Sequence, residues 1–275
     1  MSTLRKAPIY LEIRRKHQDW EFPNFSVEEL QPKKHNYCVC VFVINEGQKI
    51  QRQLERMKKN SKQLDIIIAD GGSTDGSLEL SFLKSVNVRT LLTKQGPGKL
   101  SAQMRMAFAY AMYEGYDGVV AVDGNDKDHT SAIPDFIRLL SKGYDHIQGS
   151  RFIQGGQAIN TPLERLIAVR MLHAPLLSLA SHHRHTDTTN GFRAYSRNLL
   201  LDPEIAVFRD TFKTYELHYY LAVESARAKK FKLIETPVTR RYPKKGKTPT
   251  KISPLKGNAH VLGILIKAAR RKYRP

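Results

Sequence analysis

The chain has 275 residues, room for one large α/β domain with or without extensions, and its 41% hydrophobic and 26% charged content excludes a disordered chain. Lys and Arg number 45 against 26 Asp and Glu, a net charge of +19, which points to polyanionic partners: nucleic acid, anionic lipid or phosphorylated substrates. Two cysteines exclude a disulfide framework, and no apolar stretch nears the roughly 20 residues a helix needs to span a bilayer, so a cytoplasmic protein without a signal peptide is expected.

Residues 1–36 are polar and charged, with a short strand expected near 9–13; they read as an extension docked on a domain spanning 37–251. Residues 37–44 read as a buried strand on which Cys38 and Cys40 share one face as small core residues. Asn45-Glu46-Gly47 ends it, and 48–60 follows as a basic amphipathic helix. A second strand over 64–69 runs into Asp70-Gly71-Gly72-Ser73-Thr74-Asp75-Gly76-Ser77, where Ser73, Thr74 or Asp75 can cap a helix from about Leu78. A third strand over 86–92 leads through Gly96-Pro97-Gly98-Lys99 to a helix over 100–113. A fourth, over 119–122, is bounded by glycines and rich in valine, and it ends in Asp123-Gly124-Asn125-Asp126-Lys127-Asp128-His129.

Strand, loop and helix repeated at this interval predict an α/β fold, a single domain with a mostly parallel sheet and helices on both faces. Ligands of such sheets bind at the carboxyl ends of the strands, so the loops at 45–47, 70–77, 96–99 and 123–129 should share one edge. Asp123 and Asn125, two apart after a strand, can face one hard cation; a polar turn that caps the next helix fits the same segment equally well. Neither a Walker A loop nor a Gly-x-Gly-x-x-Gly follows the strands. The run His182-His183-Arg184-His185 reads as a solvated loop, since adjacent histidines point in different directions.

Several motifs occur in one order: Asn45-Glu46, the Asp70 to Gly76 loop, Gly98-Lys99-Leu100-Ser101-Ala102, Gly149-Ser150-Arg151-Phe152 with Gly155-Gly156, Asp187-x-x-Asn190-Gly191-Phe192-Arg193-Ala194-Tyr195 and Glu235-Thr236-Pro237-Val238. Together, over roughly residues 37–251, they resemble the family 2 inverting glycosyltransferases of the GT-A fold, closest to the dolichyl-phosphate mannose synthase-like branch. The departures are Phe42 and Ile44 where the family has Pro and Tyr, Gly71 for a second Asp, and Lys127 where the mannose synthases have a metal-ligating Gln.

The resemblance implies a nucleoside diphosphate sugar as donor, with Asn45, Glu46, Asp70, Lys99 and Asp123 lining its pocket and a divalent metal, Mg or Mn, on Asp123 and Asn125. Lys127 cannot ligate a metal; Asp126 or Asp128 would then complete the shell, or metal binding is weak, or Lys127 itself offsets the diphosphate. Arg151 and Arg165 stand where that branch holds its acceptor phosphate, and with Asp123 they are the expected catalytic group; Glu216 would contact sugar or order a loop. Arg241 and Lys247 fall in the region of the family's mobile loop, which closes over the diphosphate and excludes water.

The acceptor implied is a polyprenyl phosphate, with a cell-envelope glycan as the alternative. Residues 162–180 carry apolar residues on helical spacing, fitting either a membrane face or helices packed on the domain, and 252–275 read as a basic amphipathic tail suited to an anionic membrane surface. Peripheral attachment at the inner face, with or without a membrane protein partner, is the expectation. A nucleic-acid-binding or non-catalytic protein is the reading from a different class; clustered carboxylates at strand ends argue against nucleic acid.

Overall fold

A computed structural model describes residues 8–243 and 256–275. Its strands are β1 (Asn24–Glu29), β2 (Tyr37–Val43), β3 (Asp65–Asp70), β4 (Val88–Gln95), β5 (Gly118–Asp123), β6 (His146–Ser150), β7 (Gln157–Ile159), β8 (Arg193–Ser196), β9 (Leu233–Pro237) and β10 (Thr239–Arg241). Its helices are α1 (Ile9–Lys16), α2 (Gln48–Met57), α3 (Leu80–Ser85), α4 (Leu100–Tyr113), α5 (Ile133–Ser141), α6 (Leu163–Ile167), α7 (Ala174–Ser181), α8 (Arg197–Leu200), α9 (Glu216–Arg227) and α10 (Lys256–Ala269), with a π-helical stretch, Ala168–His173, joining α6 to α7.

Eight strands form one sheet in the order β1-β4-β3-β2-β5-β8-β6-β9, and β10 pairs with β7 in a separate ribbon. The central strands β4, β3, β2 and β5 run parallel, while β1 and β8 are antiparallel to their neighbours. The alternation of side chains along β2 shows why this sheet needs cover on both faces. Cys38, Cys40 and Phe42 enter the core shared with α4, while Val39, Val41 and Val43 enter the opposite core with Ile50 and Leu54 of α2. Both cysteines are free thiols, buried as expected. Each fully buried aliphatic side chain contributes about 1.5–3 kcal/mol relative to exposure, so these two layers carry the sheet.

The N-terminal segment differs from expectation. The residues near Ile9–Ile13 form helix α1, because Ile9 and Ile13, four apart, drop onto the core together. β1 then adds an antiparallel edge to β4 with Phe25 buried beneath it. The helix expected from Leu78 starts at Leu80 with Glu79 as its N-cap, so Ser73, Thr74 and Asp75 do not cap it. A third cluster unites Leu177 of α7, Tyr219 and Val223 of α9, and Ile264 and Leu265 of α10, and Arg271 clamps Glu224 with two bonds of 2.9 and 2.6 Å. Among the described residues, no helix is long and apolar enough to cross a membrane.

Candidate active site

The parallel strands bring two carboxylates to the same edge, one on each side of β2. Asp70 ends β3 opposite Val43 of β2, and Asp123 ends β5 opposite Phe42 on the other side of β2. The loops after β2 and β3 are one hydrogen-bonded unit. Asp70 accepts from the Ser73 amide at 3.0 Å and from its hydroxyl at 2.6 Å; the same Ser73 oxygen accepts from the Asn45 amide, and Asn45 Oδ1 accepts from the Thr74 amide at 2.8 Å. Asp75 takes the Gly47 amide at 2.8 Å, so the residues expected to cap a helix tie the two loops together instead.

Beneath these loops the buried Gln103 donates to the Val43 and Ala69 carbonyls at 2.9 and 3.0 Å, bracing β2 against β3. A Cβ at Gly71 would sit 3.0 Å from the Gln103 amide nitrogen, so the brace fills the space where the family's second Asp would stand. Asn45 and Asp70 are thus joined through Ser73. Glu46 lies beside them, 3.5 Å from Lys49, and Lys99 is exposed at the N-cap of α4 with its backbone bonded to the Lys213 carbonyl.

The turn after β5 is held from below by Gln53 of α2. Its side chain donates to the Asp123 carbonyl at 2.9 Å and accepts from the Asp126 amide at 2.8 Å, which stabilises Asp126 in a left-handed conformation (φ 62°). Asp126 then pairs with Arg52 and Arg56 on the surface of α2. The Asn125 amide donates to Asp123 Oδ2 at 3.2 Å, and the Asp123 carboxylate lies against Gly191, whose missing side chain leaves it room: a Cβ there would come within 3.0 Å of Oδ1.

From the other side β10 zips onto this turn. Thr239 accepts from the His129 amide, the Arg241 amide donates to Lys127, and between them Arg240 bonds both Asp123 Oδ2, at 3.3 Å, and the fully buried Asp128. Burial alone would lower the Arg240 guanidinium's pKa, but the Asp128 and Asp123 carboxylates outweigh it and raise it. Burial raises the Asp128 carboxyl against the pull of Arg240.

A divalent-metal shell at Asp123 and Asn125 does not fit this arrangement. Asp128 is taken by Arg240 and Asp126 by two arginines, Lys127 has no lone pair to give when charged, and among the described residues no group of three or more His, Cys, Asp or Glu is placed to hold a metal.

On the acceptor side the two expected arginines part company. Arg151 is buried and its fork is spent on Asp187, with bonds of 2.6 and 2.9 Å and a further bond to Thr189 at 3.0 Å; it organises the loop that bears Gly191 and does not present a free phosphate-binding fork. Glu235 fixes the same loop through Thr186 at 2.7 and 2.5 Å. Arg165 of α6 instead reaches the site and donates to the Tyr242 hydroxyl at 2.9 Å. Lys127, Arg165 and Arg240 surround the Tyr242 ring, 5.2 to 5.9 Å from its centroid. Burial would raise that phenol, but Arg240 and Arg165 prevail and draw it below its ordinary value. Arg241 is exposed beside this cluster, and Lys247 lies outside the described residues. Glu216 orders a loop, accepting the Thr214 amide and hydroxyl at 2.6 Å each.

The histidine run is a loop with His182 and Arg184 exposed, as expected, but its last member is not solvated. His182 ends α7 in a left-handed conformation, and His185 packs inside, where burial first and then His183 and Arg193 push it down to about 3. His146 and His218 are likewise lowered by burial and then by Arg193. Arg193 itself lies fully buried, donating to the carbonyls of Asn190, His218 and Thr188 at 2.7–3.0 Å beneath the Gly191 loop. These histidines fold neutral, with pKa values below the unfolded ~6.5, so the stability they carry is full above that pH and lost as pH falls toward the folded values. Thermal melting from pH 7.5 to 4.5 should show a falling Tm, with up to ~1.4 kcal/mol lost per histidine per pH unit below 6.5.

Arg240, Tyr242, Gln53 and the Arg151–Asp187 pair escaped the reading of the sequence. Arg240 and Tyr242 sit in a basic run that reads as a charged loop, and only alternation along a three-residue strand and the residue after it, with 240 and 242 turned inward, could have singled them out.

The family model described as glycosyl transferase family 2 matches residues 38–202. A polyprenol monophosphomannose synthase of Mycolicibacterium smegmatis is 24% identical over 211 residues, covering 73% of this chain and 76% of that protein. Glycosyltransferase AglJ of Haloferax volcanii is 24% identical over 239 residues, covering 87% of this chain and 74% of that one. Among solved structures, glucosyl-3-phosphoglycerate synthase of Mycobacterium tuberculosis, in complex with Mn2+, uridine diphosphate and phosphoglyceric acid, superposes with a TM-score of 0.57 at 16% identity over 97% of this chain and 84% of that one.

Proposed function

Because the chain belongs to glycosyl transferase family 2 and is a nucleotide-sugar-dependent glycosyltransferase of the GT-A fold, we propose that it transfers the sugar, with inversion, to a polyprenyl phosphate. The observation that carries this reading is Arg165, which donates to the Tyr242 hydroxyl on the face of that ring's cation cluster, beside Asp123. A phosphate nucleophile is already ionised at neutral pH and asks for positioning and charge, which cations supply, more than for a general base. In the step, an acceptor phosphate oxygen bonds to the anomeric carbon from the face opposite the donor as the bond to the diphosphate breaks, and the electron pair leaves with the diphosphate. Asn45 and Asp70 fix the loops that would cradle the nucleoside, and Asp123 stands where sugar and diphosphate meet. Residues 37–251 form the catalytic unit in this account.

The lipid part of the acceptor has support of its own. Leu163, Ile167, Met171 and Leu179 are 67, 53, 76 and 74% exposed, and with Pro175 they recur every four residues along α6, the π-helical stretch and α7. A regular α-helix would rotate such a row around its axis; the wider π turn returns it to one face. That ridge starts on the helix that carries Arg165, so a membrane against it would bring a headgroup phosphate toward the cation cluster, with the protein peripheral on that surface. The names of the M. smegmatis relative and of this branch agree with such an acceptor. In steady-state kinetics with acceptor in anionic vesicles, Arg165→Gln and Met171→Asp should each raise the apparent KM for acceptor roughly tenfold, about the loss of one charge-assisted contact, and leave the donor KM unchanged. An unchanged acceptor KM in both variants would remove this reading.

A further inference from the structure

At the end of β5 the chain holds its own cation against two carboxylates. Arg240 lies between Asp123 and Asp128, bonded to both, and it cannot drift from them, because its strand is zipped to the loop that bears the carboxylates at His129, Asp128 and Lys127. Lys127 adds a second cation within electrostatic reach of Asp123 and Arg240. Asp123 and Asp128, −2, are balanced by Arg240 and Lys127, +2, before any metal enters, with Arg165 in addition, and that is the balance a divalent ion gives two carboxylates. To admit that ion, Arg240 would have to leave, and a guanidinium does not lose its proton; it would stand buried and unpaired. Asn125 offers one neutral oxygen, and Lys127 stands where the resembled branch has a ligand.

We propose that Arg240 and Lys127 neutralise the nucleoside diphosphate in place of a divalent metal, so that donor binding and transfer proceed without one. The inference rests on the donor being a nucleoside diphosphate sugar, as argued above. As the anomeric carbon–oxygen bond breaks, the negative charge gathering on the departing diphosphate meets the guanidinium and the ammonium, fixed in place and free of the cost of reorganising solvent.

Metal-stripped full-length protein titrated with GDP and UDP by calorimetry, first in EDTA and then with Mn2+, tests this directly; the spin-resonance signal of aqueous Mn2+ reports metal uptake independently of nucleotide. The expected result is a Kd for one nucleotide that differs less than about twofold between the two conditions, with the Mn2+ signal undiminished by the protein alone. Arg240→Gln should weaken that nucleotide at least tenfold in EDTA and, by releasing Asp123 and Asp128, cause Mn2+ uptake to appear. Arg240→Lys keeps a charge at the site and should retain binding within a few-fold, serving as the folded control if the Gln variant fails to fold. Nucleotide binding by the wild type only when Mn2+ is present would overturn the inference and leave the donor reading standing. Binding of neither nucleotide under any condition would overturn both.

Discussion

Asp123→Asn lowers kcat/KM for sugar transfer on the order of 100- to 1000-fold, the scale seen when one preorganised electrostatic partner of a transition state is lost. Several geometric facts meet at this carboxylate. It closes β5 at the same sheet edge as Asp70, across β2, it is packed against Gly191, it accepts the Asn125 amide, and it shares Arg240 with Asp128. The substitution keeps the shape that Gly191 accommodates and removes the charge, so Arg240 loses one of its two anchors and the proposed transfer loses the anion at its centre. Asp128 still pairs with Arg240, so the fold is retained, and melting curves of the variant should lie close to the wild type. Activity within a few-fold of wild type would mean that the chemistry occurs elsewhere.

Asp187→Ala should be the most damaging substitution for stability. Asp187 is fully buried, accepts both prongs of the Arg151 fork, and also holds the Arg151 and Thr189 amides at 3.2 and 3.3 Å. Burial would lower the Arg151 guanidinium, and the Asp187 carboxylate more than offsets that, raising it. Removing the acid leaves a buried cation unpaired, a loss of roughly 3–5 kcal/mol, equivalent to a fall in Tm of about 6–20 °C at this chain length. The double variant Arg151→Met with Asp187→Leu removes both charges and should recover much of that loss. Thermal melting of the three proteins checks it; a single variant as stable as wild type would contradict the assignment of this pair as the brace of the Gly191 loop.

What the sequence reveals follows the range of the interactions involved. The α/β architecture and the positions of β2, β3, β5 and α4 are written in short-range patterns, because strands buried on both faces must be continuous apolar runs and the parallel order imposes a helix between each pair. The meeting of Asp70 and Asp123 at one edge follows from that order alone. The partners of those acids do not follow from it. Arg240 reaches Asp128 across 112 residues, Gln53 reaches Asp123 across 70, and Arg151 finds Asp187 across 36, and nothing local in a basic run or a helix face marks them. An arginine in a phosphate-binding motif reads the same whether its fork is free, as the motif alone suggests for Arg151, or closed on a buried acid, as the fold makes it. The edge strand β1 also escapes local pattern, since its six residues hold only one fully buried side chain, Phe25.

The measurement that bears most directly on the account is transfer itself. Full-length protein is incubated with labelled GDP- and UDP-hexoses and a short-chain polyprenyl phosphate, and the organic phase is assayed for label and for the anomeric configuration of the product. The account predicts label in the lipid phase from one nucleotide class, an anomeric centre opposite to the donor's, and loss of the signal in Asp123→Asn. A donor that binds and hydrolyses while no polyprenyl phosphate receives its sugar, or a product that retains the donor's configuration, would contradict it.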